Sequence, residues 1–110
     1  MELLEGERVL AFDLETTGIS TSRDRIVQLA LIGSDADGAE ISYDRLVNPR
    51  RPIPYDSQRI HGISDADVRG EPDFAQIADK VSELIEGCVL IGHNVRQFDL
   101  PMLRLSLIHI

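Results

Sequence analysis

The sequence predicts an α/β fold with a mixed sheet, an antiparallel meander of three strands joined by a parallel fourth. Three observations predict it. Three short apolar runs rich in β-branched residues lie within the first 47 positions, separated by turn residues. An amphipathic helical pattern follows Pro72. Another apolar run, Cys88 to Ile91, comes directly after that helix, as in a strand reached through a helical crossover.

The elements follow in order. Arg8 to Glu15 (RVLAFDLE) is a compact apolar run ending in two carboxylates, expected as a buried strand and closed by Thr16, Thr17 and Gly18. Arg25 to Gly33 (RIVQLALIG) is the second strand. Asp37-Gly38 is a hairpin signal, and Ile41 to Val47 returns as the third strand with Ile41, Tyr43 and Leu46 inward. Asn48 to Pro54 is a proline-punctuated loop. Short helical pieces are expected from Asp56 to Val68, with Ser64 as a cap. In the main helix Phe74, Ile77, Ala78, Val81, Leu84 and Ile85 share one face, and Gly87 ends it. Cys88 to Ile91 suits a central strand. A last helix should carry Asp99, Met102 and Leu103, with Pro101 in its first turn, where a missing N–H costs little.

The composition is that of a globular domain, 43% hydrophobic and 27% charged, which excludes a disordered chain. No apolar run approaches membrane-spanning length, and the first residues lack the basic start of a secretory signal. The single cysteine, Cys88, lies in an apolar run and suits a reducing compartment, so the expected setting is cytoplasmic without a membrane partner. The net charge of −8 argues against a phosphate backbone as partner, unless acidic residues hold divalent cations that meet the phosphate.

Asp13 and Glu15 supply that exception. Two apart on a strand, they share a face with Cα atoms roughly 6.5 Å apart. Carboxylates so placed can converge on a pair of hard cations about 4 Å apart, and oxygen ligands suit Mg²⁺ or Mn²⁺. Taken alone, such a pair is more often a solvated strand end. Arg23, Arg25, Arg50 and Arg51 lie in or beside loops that could meet phosphates, against the plainer reading of solvated side chains on an acidic surface.

The wider strings are more specific. Phe12-Asp-Leu-Glu-Thr-Thr-Gly18 resembles the first motif of the DEDD-type 3'-5' exonucleases, whose best-known members are the epsilon-type proofreading subunits of DNA polymerase III. The resemblance runs on through Arg25 to Ala30, Leu46 to Pro49, Ile60 to Ser64, Pro72-Asp-Phe74, Gly92-His-Asn94 and Phe98-Asp99. It implies a ribonuclease H-like three-layer fold, incomplete at the C-terminus, and a single exonuclease domain of which residues 8–104 form the N-terminal part. It implies hydrolysis of 3'-terminal phosphodiester bonds assisted by two divalent cations. Asp13 then bridges both cations, Glu15 binds the one that activates the attacking water, and Asp99 contacts the other directly or through water. Thr16, with Thr17 and Gly18 beside it, meets the 3'-terminal nucleotide, Ile19 packs on the terminal base, and Asn94 and Phe98 line the same cleft. His61 and His93 are expected to be structural. The expected partner is a nucleic-acid 3' end, DNA before RNA, together with a polymerase or helicase as separate subunit or fused domain. An exoribonuclease and a non-catalytic binding fragment are the alternatives.

Two features depart from the family pattern. Val95-Arg96-Gln97 places three residues between His-Asn and Phe-Asp where two are usual, which bears on Asn94 more than on Asp99. The family's third motif, a histidine followed five residues later by an aspartate, occurs nowhere in residues 1–110, so the chain as written is expected to lack activity. Residues 105–110 (LSLIHI) match the translation of a transposon adapter used in sequencing libraries and are expected to be a non-native tail.

Overall fold

A computed structural model describes residues 8–20, 22–34, 37–92 and 101–104. The three apolar runs form β1 (Arg8–Thr16), β2 (Ile26–Ser34) and β3 (Glu40–Leu46). They pair antiparallel in sequence order, with Asp13 opposite Ala30 and Ala30 opposite Asp44. The two helical pieces are α1 (Tyr55–His61) and α2 (Asp65–Val68), the latter capped by Ser64. The long helix α3 (Phe74–Ile85) leads into β4 (Cys88–Ile91), which pairs parallel with β1, giving the order β3-β2-β1-β4.

Local chemistry explains the helix boundaries. Asp73 caps α3 by accepting from the Gln76 N–H, while the Gln76 side chain accepts from the Asp73 N–H. The same reciprocal pair, Ser64 with Asp67, starts α2. The hydrogen bond from the Ser64 backbone, with one from its hydroxyl, holds the Asp67 carboxyl below its ordinary range. Gly87 leaves α3 with φ 71°, a conformation that costs glycine little.

The core lies on one face of the sheet. Phe12 and Leu14 of β1, with Leu29 and Leu31 of β2, pack against Ile77 and Val81 of α3 and against Met102 and Leu103. A smaller core gathers Val27, Ile53, Ile63 and Val68, with Leu46 packed against it.

Three expectations change. β1 is not buried on both sides, because alternate residues face opposite ways. Leu10, Phe12 and Leu14 are buried while Ala11 and Asp13 are exposed. β4 pairs only with β1 among the described strands and stands at the edge of that sheet, leaving Val89 and Ile91 exposed. Cys88 is half-buried rather than buried, its thiol donating to the Leu84 carbonyl.

Candidate active site

The two strand-borne carboxylates emerge from the alternation of β1. The odd positions that carry Asp13 and Glu15 face away from the core that holds Phe12 and Leu14. Asp13 is exposed and Glu15 half-buried. Among the described residues neither carboxylate meets a cation or a hydrogen-bond donor. Ala30, a methyl only, lies opposite Asp13, and Gln28 lies opposite Glu15 with its amide Nε2 donating to Asp44 Oδ1 at 2.9 Å. Two carboxylates on one sheet face, without a counter-charge among the described residues, fit a hard divalent cation by the chemistry of their oxygens. Among the described residues no group of three or more acidic, histidine or cysteine side chains comes together as a metal site. Asn94, Phe98 and Asp99, expected in the same cleft, lie outside the described residues, as does His93.

The pairing of β1 with β2 is irregular at the site. Pairing shifts register between Glu15 and Thr16, so that Glu15 faces Gln28 while Thr16 faces Ile26. Such a bulge re-aims the side chains that follow it. The turn it opens, Thr16 to Ser20, is tied down on two sides. On one side Asp24 Oδ1 accepts from the Thr17 hydroxyl at 2.8 Å, and its Oδ2 accepts from the Ser20 N–H at 2.8 Å. The Thr17 hydroxyl oxygen accepts in turn from the Arg25 N–H, and the Thr17 N–H donates to the Arg25 carbonyl. A Cβ on Gly18 would stand 2.6 Å from Asp24 Oδ2, so this position needs glycine for space.

On the other side helix α1 grips the turn. Ser57 donates to the Thr17 carbonyl at 2.5 Å, and His61 Nε2 lies 3.2 Å from the Thr16 carbonyl. His61 Nδ1 accepts from the Ile63 N–H at 3.0 Å, so the ring proton sits on Nε2 and points at Thr16. A structural role for His61 is what the sequence led us to expect, and the ring is fully engaged in it.

These bonds sort the turn residues. Thr17 is 2% exposed and its hydroxyl is consumed inside the turn, so that side chain shapes the turn rather than facing a ligand. The Thr16 hydroxyl donates to the Gly18 carbonyl. Ile19 stands 91% exposed beyond the turn, and Ile60, on the helix that grips it, is 85% exposed. Apolar side chains so presented are available to a flat apolar partner such as a base. Asp24, Ser57 and Ile60 were not singled out from the sequence. They stand several to some forty positions from the Thr-Thr-Gly string, and no local pattern joins them to it.

A family model described as Exonuclease (RNase_T) matches residues 10–110. A DNA polymerase III subunit epsilon-like protein of Rhodobacter capsulatus is 41% identical over 99 residues, covering 86% of this chain and 14% of that protein. The DNA polymerase III subunit epsilon of Treponema pallidum is 36% identical over 97 residues, covering 88% of this chain and 45% of that protein. The chain thus spans less than half the length of either relative. Among solved structures, E. coli Exonuclease I in complex with a dA16 oligonucleotide superposes with a TM-score of 0.77 at 24% identity, over 89% of this chain and 23% of that one. That likeness extends the resemblance from motifs to fold, the ribonuclease H-like arrangement.

Proposed function

The chain belongs to the exonuclease (RNase_T) family, and from that premise we propose that its protein is a metal-dependent 3'-5' exonuclease that hydrolyses the 3'-terminal phosphodiester bond of single-stranded DNA. The observation that carries the reading is the pair Asp13, exposed, and Glu15, half-buried, on one face of β1, without a counter-charge among the described residues and beside a braced turn. DNA is favoured over RNA by the two curated relatives, both named for DNA polymerase III. The same relatives support a polymerase as partner, in the cytoplasm where replication proteins act.

Asp13, Glu15 and Asp99 would hold two Mg²⁺ or Mn²⁺ ions. When bound, these supply positive charge at the scissile phosphate and lower the pKa of the attacking water. The residues of this chain do the rest. Asp13, one residue past the centre of the strand, would present its carboxylate from the open face. Glu15, held next to the register shift, would hold the cation that activates the attacking water. Thr16, Gly18 and Ile19 present backbone and apolar surface to the terminal nucleotide, with Asn94 and Phe98 assigned to the same cleft. Thr17 acts through the turn it fixes. An open single strand is the natural substrate, because its unpaired terminal base is free to meet Ile19. The histidine and fourth carboxylate that the family pattern calls for are not among residues 1–110.

The test uses the full-length gene product with an oligodeoxynucleotide labelled at either end. With Mg²⁺ the strand should shorten from the 3' end, and a chelator should abolish the shortening. Digestion from the 5' end, nicking of a closed circle, or activity that survives chelation would overturn the reading.

A further inference from the structure

Arg23, Arg25 and Arg51 come together beside the braced turn, although Arg51 is 28 positions from Arg23 in sequence. The Arg51 guanidinium donates to the Arg23 carbonyl at 2.7 Å, which fixes the Arg51 loop against the segment that carries the other two. That segment is itself bonded to the turn, through Thr17 N–H to the Arg25 carbonyl and Arg23 N–H to the Ser20 carbonyl.

Among the described residues their charges meet no carboxylate. Arg50, the immediate neighbour of Arg51, is spent on Asp73, with Nε 3.2 Å from Oδ2, and Arg45 lies 3.8 Å from Glu71. A bond to a carbonyl leaves the Arg51 charge free. Asp24, the nearest acid in sequence, is turned inward onto the Thr17 hydroxyl and the Ser20 N–H. In a chain of net charge −8, three arginines without a carboxylate partner among the described residues, on two segments tied together beside the turn, are a local reversal of sign.

We propose that Arg23, Arg25 and Arg51 form a phosphate-binding rim that holds the backbone of the single strand beyond its terminal nucleotide. Guanidinium groups suit this role, since they present forked donors to phosphate oxygens and stay charged at any working pH. Contacts to phosphate position a strand without reading its sequence, as removal of successive nucleotides requires. The rim rests on the reading of the Thr16–Ile19 turn as the seat of the 3'-terminal nucleotide.

The test measures binding apart from hydrolysis. Fluorescein-labelled oligodeoxythymidylate is titrated with the full-length protein in chelator, by anisotropy, across a range of salt. Each lost phosphate contact on a single strand lowers the slope of log affinity against log salt by about 0.7, so the Arg23→Ala/Arg51→Ala double variant should lose about 1.4. Arg51→Gln keeps a donor for the Arg23 carbonyl but removes the charge, and should lose about half of that. Arg50→Gln and Lys80→Gln, the latter on the exposed side of α3, should leave the slope unchanged. With Mg²⁺ the rim variants should raise KM and keep kcat. A wild-type slope in the double variant, or an equal loss in Lys80→Gln, overturns the rim and leaves the exonuclease reading standing. Flattened slopes in the rim variants, with a wild-type protein that degrades no 3' end, would support the rim and overturn the exonuclease reading.

Discussion

The two faces of the sheet carry different duties on the same strand. On the covered face Phe12 and Leu14 are sealed by Ile77 and Val81 of α3 and by Met102 and Leu103. On the open face Ala11 and Asp13 are exposed, flanked across the strands by Ile32 and Ile91. The period of two in a strand separates them: even positions of β1 hold the fold together, and odd positions carry the two carboxylates. A site built this way can change its carboxylates at little cost to folding, while a one-residue slip of register would destroy both at once.

The largest expected effect breaks one face and spares the other. Asp13→Asn in the full-length enzyme removes the oxygen charge proposed to bridge both cations, and should lower Mg²⁺-dependent 3'-end degradation by roughly 10³-fold or more. Because Asp13 is exposed and has no partner among the described residues, the same change should shift unfolding free energy by no more than about 0.5 kcal/mol. Rates compared at saturating Mg²⁺, beside a denaturant titration, check both halves. A variant that loses activity only by unfolding would dissolve the separation of faces.

The next effect works in the opposite direction. Leu31→Ala empties a fully buried position on the covered face, and should cost about 2–5 kcal/mol. Domains have only about 5–15 kcal/mol in total. The midpoint of urea unfolding measures it, and a loss below about 1 kcal/mol would mean that the core is looser than its packing.

This division also marks what the sequence discloses. The strand runs, the Asp37-Gly38 turn, the α3 stripe and the parallel return of β4 are local patterns, and each stands where its period or its punctuation placed it. Asp13 and Glu15 are legible for the same reason, as two residues with fixed spacing on one strand. The brace around the turn is not. Ser57 and His61 meet the carbonyls of Thr17 and Thr16 only because α1 is folded back across the end of β1, at separations of 40 and 45 positions. Nothing in the Thr-Thr-Gly string shows that Asp24 and Arg25 occupy the Thr17 hydroxyl. The edge position of β4 was hidden as well. Four apolar residues in a row carry no mark of whether both neighbours of a strand are filled.

The smallest expected effect sharpens the comparison most, because it lies one residue from the largest loss of stability. Ile32 follows Leu31 on β2, opposite Ala11, and is 55% exposed where Leu31 is fully buried. Ile32→Thr keeps the branched Cβ that suits a strand and replaces an ethyl arm on a half-exposed side chain with a hydroxyl. Little transfer free energy is left to lose and no cavity forms, so the change in unfolding free energy should stay within about 0.5 kcal/mol. Ile32 shares its row with Ala11 and Ile91, so the variant should also reduce the apolar stripe that this face offers to other molecules, seen as less self-association in light scattering. A loss of 1 kcal/mol or more would mean that Ile32 is sealed in the folded chain. The open face would then be a second core, and Asp13 and Glu15 would stand at its margin rather than on free surface.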